Sequence, residues 1–165
     1  MTTRVLIAGD NSLVNLGLTT LLGNQPNHRV LAEVPLAEII AAASARRPDV
    51  IILDIDSASG HGLEICAELC QSLYQPMVVV LTGAPDEALA QQAIHIGAAA
   101  FALKQEHASD LLERIKQAQD GPLLRDNARQ QAVIEVVRRA ARAADPAAFV
   151  GLTPQERHIL LLVSE

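Results

Sequence analysis

Two aspartates, Asp54 and Asp56, come directly after a continuous apolar run. Three further polar residues, Asp10, Thr82 and Lys104, each follow another apolar run. A carboxylate can attack phosphorus, while a hydroxyl and an ammonium group can hold the oxygens of a phosphoryl group during transfer. Asp54, Thr82 and Lys104 therefore predict phosphoryl chemistry, provided that the fold brings them together.

The carboxylates of Asp10, Asp54 and Asp56 would repel one another at one site, so a divalent cation or Lys104 must offset their charge. An all-oxygen site that is completed by water and substrate suits Mg²⁺ better than zinc. Each residue also has an ordinary explanation, in which Asp54 caps a helix, Thr82 is a strand residue and Lys104 lies on the surface. Their joint occurrence after apolar runs favours a functional site.

The elements that must position these residues are short apolar runs alternating with helical patterns, as is typical of βαβ units around a parallel sheet. The predicted strands span residues 4–8, 29–34, 49–54, 77–82 and 100–104, and the predicted helices span residues 12–23, 37–46, 62–73, 86–96 and 108–120. Ligands of such sheets bind outside the carboxyl ends of the strands. The sequence therefore predicts an α/β domain with a doubly wound, five-stranded parallel sheet.

Composition limits the class of protein. The formal net charge is −6 and hydrophobic residues make up 50% of the chain. No apolar run approaches the roughly 18 to 20 residues that cross a bilayer, and the N-terminus has no secretory cleavage pattern. We expect a cytoplasmic protein without a membrane partner. With one Tyr, two Phe and no Trp, the chain lacks a platform for stacking single-stranded bases.

A linker follows the α/β domain. Residues 126–144 place small and apolar side chains on one helical face, which predicts an amphipathic helix; they are Ala132, Val133, Val136, Val137 and Ala140. Arg138, Arg139 and Arg142 raise the alternative of a basic nucleic-acid patch. Three arginines beside Glu135 are more typical of a solvated helix face.

The C-terminal segment carries a helix-start signal. Thr153 is a capping residue, Pro154 occupies the first helical position, and Glu156 comes three residues after the cap. A single amphipathic helix cannot bury its own apolar face. We therefore expect this chain to be part of something longer.

Four segments, RVLIAGDNS, PDVIILDIDSASGHGLE, VVVLTG and HIGAAAFALK, resemble in order and spacing the receiver domain of bacterial two-component response regulators. The tail LTPQERHILLLVSE resembles the start of the helix-turn-helix output domain of the NarL/FixJ (LuxR-type) subfamily. The resemblance implies a flavodoxin/CheY-like receiver at 1–121, a helical linker at 122–151 and the first helix of a truncated output domain at 152–165. It also implies control of transcription through a DNA-binding domain that is mostly absent from this chain.

The resemblance assigns roles to the site residues. Asp54 would accept a phosphoryl group from a histidine kinase or a small phosphodonor. Mg²⁺ would be held by the side chains of Asp10 and Asp54 and by the backbone carbonyl of Asp56. Because Gly9 replaces a usual acidic residue, we expect weaker Mg²⁺ affinity, and we expect the side chain of Asp56 to restore part of the missing charge near the metal.

The resemblance also implies a switch. Thr82 would turn inward to a phosphoryl oxygen, Lys104 would pair with the phosphoryl group, and Phe101 would take the aromatic switch position. The affected surface comprises the fourth helix, fifth strand and fifth helix, where alanines suggest close packing of a homodimer. Those alanines are Ala88, Ala90, Ala93 and Ala98 to Ala100.

Two alternatives stay open. Gly9 and the segment 57–59, which lacks the Met-Pro usual in the family, favour an atypical receiver that works without phosphorylation as a dimerisation or ligand-binding module. The Asp54-x-Asp56 pattern also resembles the haloacid-dehalogenase-type phosphatases, in which Asp56 would be the acid/base. Those enzymes have a later acidic cluster on a strand, which this sequence lacks, so a protein that is not an enzyme is the favoured interpretation.

Overall fold

The fold is a five-stranded parallel sheet in which β1 lies between β2 and β3. The computed structural model describes residues 1–56 and 60–144, and its strands are β1 Thr3–Ala8, β2 His28–Val34, β3 Val50–Asp54, β4 Met77–Thr82 and β5 Ala100–Leu103. The strand order is β2-β1-β3-β4-β5, and every pairing is parallel. The order reverses between β1 and β3, which is where ligands bind in doubly wound sheets. The predicted fold class is confirmed.

The helices follow the predicted alternation. They are α1 Ser12–Gly23, α2 Ile39–Arg46, α3 Gly62–Gln71, α4 Glu87–Ile96, α5 Ala108–Ala118 and α6 Asn127–Ala144, with 3₁₀ turns at Leu36–Glu38 and Leu123–Arg125. The second helix begins later than predicted because the 3₁₀ turn precedes it, and the third ends earlier because Ser72 is extended. None of the helices in the described residues is long and apolar enough to cross a bilayer.

Two apolar layers enclose the sheet. Helices α2, α3, α4 and α6 cover one face, and α1 and α5 cover the other. β3 is buried at all five positions, as expected for a strand in the middle of a parallel sheet. The last residue of β3 is Asp54, so the packing of this strand holds the Asp54 backbone at the carboxyl end of the sheet.

Helix α6 is amphipathic and packs its apolar face against α4. Val133, Ile134 and Val137 are buried, while Val136 is partly buried. The predicted face was wrong at Ala132, which is exposed. Ile134 takes its place because the buried stripe is centred on the larger side chains that fill the space beside α4.

Two of the three arginines considered for a basic patch, Arg138 and Arg139, form ion pairs. Arg138 contacts Glu87 of α4 through Nη2 to Oε1 at 2.9 Å and Nε to Oε2 at 3.2 Å. Arg139 Nε lies 3.1 Å from Glu135 Oε1. These pairs support a helix face that is engaged with acidic residues, rather than a basic patch free to bind nucleic acid.

The alanines proposed for a homodimer surface lie mostly inside the molecule. Of these alanines only Ala88 is exposed, whereas the others are buried, namely Ala90, Ala93, Ala98, Ala99 and Ala100. Their small side chains let α4 approach the sheet and α6 closely. The argument from alanine content was therefore wrong, and the homodimer itself stays a prediction.

Candidate functional site

Asp54, Thr82 and Lys104 meet at the carboxyl ends of three neighbouring strands. Asp54 ends β3 and is 2% exposed, while Thr82 ends β4 and is fully buried. In the register of the sheet, Asp54 pairs with Leu81 and Thr82 pairs with Leu103, so the three strands end nearly level. Lys104 follows β5 directly. The parallel topology thus produces the convergence that the sequence predicted.

Lys104 links two carboxylates. Its Nζ lies 2.8 Å from Asp54 Oδ2 and 2.9 Å from Asp56 Oδ2. Partial burial works against the positive charge, but the hydrogen bonds and charges of Asp54 and Asp56 outweigh it and raise the pKa of Lys104. This lysine therefore offsets the repulsion expected between these two acidic residues.

The side chain of Asp56 turns toward Lys104. Its Oδ1 accepts a hydrogen bond from Thr82 Oγ1 at 2.5 Å, and its Oδ2 accepts one from the Gly83 N–H at 2.6 Å. Burial opposes ionisation, but these bonds and Lys104 outweigh it and lower the pKa of Asp56. Three donors therefore hold this carboxylate, and the expectation that it restores part of the charge missing at Gly9 stays a prediction.

Thr82 points into the site and uses its hydroxyl twice. Besides donating to Asp56, Thr82 Oγ1 accepts a hydrogen bond from the Ala84 N–H at 3.1 Å. Phe101 is 1% exposed and lies in the core beneath α4. Its inward position is compatible with the predicted switch role, which stays a prediction.

Gln105 is a site neighbour to which the sequence assigned no contact. Its Nε2 donates to the Gly83 carbonyl at 2.8 Å. Because Gly83 N–H holds Asp56, this bond supports the same loop from its other side. A lone glutamine after a strand carries no spacing signal, so only the folded loop reveals the contact.

The end of β1 is built differently. Asp10 Oδ1 accepts a hydrogen bond from the Leu36 N–H at 3.0 Å. A Cβ on Gly9 would lie 2.8 Å from Asp54 Cβ and 3.1 Å from Asn15 Oδ1. Asn15, which is 7% exposed, donates from Nδ2 to the Gly9 carbonyl at 2.9 Å. The glycine therefore accommodates a close approach of Asp54 and Asn15 at this position.

Sequence reasoning missed Asn15, although a signal was present. Asn15 lies three and seven residues before Leu18 and Leu22, which are the buried residues of the same α1 face. A polar residue on an apolar stripe indicates a buried polar contact. Here that contact is the carbonyl of Gly9.

Comparison with known proteins identifies the family. Residues 5–116 match the model of the response regulator receiver domain. This chain belongs to that family. The chain is 34% identical over 163 residues to the DNA-binding transcriptional activator DevR/DosR of Mycobacterium tuberculosis, covering 98% of this chain and 74% of the relative. The transcriptional regulatory protein LiaR of Bacillus subtilis is 29% identical, with 98% and 76% covered.

Solved structures share the fold of the receiver. The RcsB response regulator of Salmonella typhimurium aligns with a TM-score of 0.70 at 19% identity, covering 98% of this chain and 75% of that one. A LuxR-family response regulator from Aurantimonas aligns with a TM-score of 0.68 at 21% identity, covering 73% and 86%. These structures show the shared fold, and the match to the receiver-domain model together with DevR/DosR confirms the predicted family. The relatives DevR/DosR and LiaR are named as transcriptional regulators.

Receiver domains generally bind Mg²⁺ for phosphorylation, and the donor types at this site fit that ion. Among residues 1–56 and 60–144, no group of three or more His, Cys, Asp and Glu side chains is arranged to hold a metal ion. The predicted ligand set requires only the side chains of Asp10 and Asp54, together with the carbonyl of Asp56. Asp10 Oδ1 and Asp54 Oδ2 already have protein partners, with which a cation would compete.

Proposed function

We propose that this receiver accepts a phosphoryl group on Asp54 from a histidine kinase or a small phosphodonor. The observation that carries the proposal is the buried Asp54 carboxylate in contact with Lys104 at 2.8 Å, next to hydrogen-bond donors from Thr82 and Gly83. One nucleophilic oxygen and three donors for an oxyanion thus lie within one cluster.

The chemistry follows from this arrangement. A carboxylate oxygen of Asp54 attacks phosphorus and forms an O–P bond, while the bond from phosphorus to the donor breaks and the leaving group takes its electron pair. The Lys104 ammonium group, which contacts the Asp54 carboxylate before transfer, then pairs with a phosphoryl oxygen. The Thr82 hydroxyl and the Gly83 N–H supply two further donors for that group.

The residues that would bind Mg²⁺ include fewer carboxylates than is usual in the family. When bound, Mg²⁺ would neutralise charge between Asp54 and the phosphodonor. Asp10, Asp54 and the carbonyl of Asp56 would hold it. Since Gly9 contributes no carboxylate and Asn15 contributes only a neutral amide nearby, we expect weaker Mg²⁺ affinity than in a receiver with two acidic residues after β1.

The test is a phosphorylation assay with Mg²⁺ and acetyl phosphate, read by intact mass. We expect the wild-type chain to gain one phosphoryl group and Asp54→Asn to gain none. Asp86→Asn is the matched control, because Asp86 accepts the Ala88 N–H at the start of α4 and asparagine also caps helices. The absence of a gain in wild type, or an equal gain in Asp54→Asn, would favour the alternative of a receiver that works without phosphorylation.

We further propose that the receiver controls transcription through an output domain that begins at residues 152–165, which lie outside the described residues. DevR/DosR is named as DNA-binding. The chain has a formal net charge of −6, and Arg138 and Arg139 are paired with acidic residues. If DNA binding requires the output domain, this chain should give no specific gel shift at moderate salt. A specific shift would contradict that requirement.

A further inference from the structure

We propose that the carboxylate of Asp56 occupies the binding site that an external oxyanion, here the phosphoryl group, would need. We call this binding site the oxyanion seat. The oxyanion seat consists of the Thr82 hydroxyl, the Gly83 N–H and the Lys104 ammonium group. The identity of the displaced ligand rests on the proposed function of Asp54. The occupancy of the seat rests on contacts within this chain.

All three donors of the oxyanion seat contact Asp56. Thr82 Oγ1 lies 2.5 Å from Oδ1, while Gly83 N and Lys104 Nζ lie 2.6 Å and 2.9 Å from Oδ2. These are the lengths of charge-assisted hydrogen bonds. A carboxylate and a phosphoryl group both present anionic oxygens, so they compete for the same donors.

The backbone favours this position of the carboxylate. The N–H of Asp56 donates to Asp54 Oδ1 at 3.0 Å, which holds the two aspartates side by side. A Cβ on residue 83 would lie 3.3 Å from Asp56 Oδ2 and 3.7 Å from Lys104 Cδ. The glycine at position 83 therefore leaves room for the carboxylate to reach the backbone N–H.

Two consequences follow. A phosphoryl group on Asp54 must displace Asp56, whose side chain is 32% exposed and therefore has a path to solvent. The Thr82 hydroxyl is also turned inward before any phosphoryl group arrives, because it already donates a hydrogen bond to Asp56. Asp56 thus lowers oxyanion affinity while it holds Thr82 in the inward position.

The occupancy is tested without phosphorylation by titrating sulfate into the full chain and following the Gly83 and Ala84 amides by NMR. We expect Asp56→Ala to bind sulfate at least about tenfold more tightly than wild type, the change that corresponds to one charge-assisted hydrogen bond. Without sulfate, the Gly83 amide proton should move upfield in Asp56→Ala, since it loses a short bond to a carboxylate.

Two variants serve as controls. Asp56→Asn keeps the size of the side chain but loses its charge, and we expect a gain in sulfate affinity of the same sign. Asp86→Asn removes one negative charge from the same end of the sheet and should bind sulfate as wild type does. Equal sulfate affinity in wild type, Asp56→Ala and Asp56→Asn would overturn the proposal.

Phosphorylation then separates this inference from the proposed function. With acetyl phosphate at saturating Mg²⁺, we expect Asp56→Ala to gain mass about tenfold faster than wild type, by the same reasoning. If no variant gains mass but Asp56→Ala binds sulfate more tightly, the proposed function fails and the occupied seat is supported. If wild type is phosphorylated and Asp56→Ala neither gains mass faster nor binds sulfate more tightly, this inference alone fails.

Discussion

Polar groups are held in different ways in two regions at the carboxyl ends of the strands. The first half comprises the ends of β3, β4 and β5, and the second half is the end of β1. At the ends of β3, β4 and β5, side chains pair with one another, and Lys104 joins Asp54 and Asp56 into one network. At the end of β1, Asp10 accepts a backbone N–H and Asn15 donates to a backbone carbonyl. Charge therefore organises the first half, whereas backbone hydrogen bonds and close packing organise the second.

This difference teaches how each half should respond to substitution. At the ends of β3, β4 and β5, removing one charge leaves its ionic partner without compensation. Phosphorylation and stability are therefore expected to change together. Adding a side chain to the second half meets atoms that are already in contact, so stability changes first.

The largest effect is expected for Lys104→Met. The change leaves the buried Asp54 and the neighbouring Asp56 without their cation, so the free energy of unfolding should fall by about 2 kcal/mol. Phosphorylation by acetyl phosphate should fall at least about 100-fold, since a donor to the phosphoryl oxygen is lost. Urea unfolding and intact mass measure the two effects.

The control is Lys116→Met, which removes an exposed lysine from α5. It should change neither quantity appreciably. If Lys104→Met were as stable as wild type, the charge network would not organise this half of the edge.

Gly9→Asp tests the second half by restoring the acidic residue usual in the family. Its Cβ would meet Asp54 Cβ at 2.8 Å and Asn15 Oδ1 at 3.1 Å, so we expect a loss of about 1 to 3 kcal/mol in the free energy of unfolding. Combining it with Asn15→Ala should recover part of that loss and raise Mg²⁺ affinity. Urea unfolding and calorimetric Mg²⁺ titration provide the measurements.

Gly17→Asp is the matched control, because a Cβ there has no neighbour within 4 Å. It adds an acidic residue to α1 and should not destabilise the protein. Tighter Mg²⁺ binding by Gly9→Asp alone, at unchanged stability, would contradict the packing argument.

Asn15→Ala should have a smaller effect. It removes the hydrogen bond to the Gly9 carbonyl, which is worth about 1 kcal/mol, and should leave phosphorylation largely intact. Chemical denaturation and the mass assay check these outcomes. A loss of phosphorylation at unchanged stability would instead place Asn15 in the chemistry of the site.

Acid should weaken the first half, with the smallest effect because Asp56 is partly solvated. Its lowered pKa means that its ionised form contributes stability above the unfolded value of about 3.9, and that this contribution is lost as pH falls through the still lower folded value. The difference in unfolding free energy between wild type and Asp56→Ala should therefore be larger at pH 7 than near pH 3. Urea unfolding at both pH values measures it, and an equal difference would show that the ionised carboxylate is not the source.

Much of the fold was predictable because it follows from local patterns. The apolar run before Asp54 indicated a central strand, and β3 is buried throughout. The helical face of the linker was predicted only in part, since a periodic pattern does not say whether Ala132 or Ile134 lies nearer to α4. The alanines of α4 and β5 misled for a related reason, because residue type alone does not distinguish packing inside a subunit from packing between subunits.

The candidate site was predictable to the level of residues but not of contacts. Asp54, Thr82 and Lys104 could be named in advance, because parallel strands end at a common edge. Asp56 could be named, but its side chain was expected near the metal. Asn15 and Gln105 were missed, since each acts through a backbone carbonyl that its own sequence position does not indicate.

The sequence by itself determined the alternation of strands and helices, and hence the presence of two acidic residues, a hydroxyl and an ammonium group at one edge of a parallel sheet. The physical reason is that hydrophobic periodicity is local and the parallel topology aligns strand ends. Only the tertiary structure decided that Asp56 faces Thr82, Gly83 and Lys104 rather than the end of β1. That choice depends on distances between atoms of three strands, because a carboxylate settles where donors from β4 and β5 come within hydrogen-bonding reach.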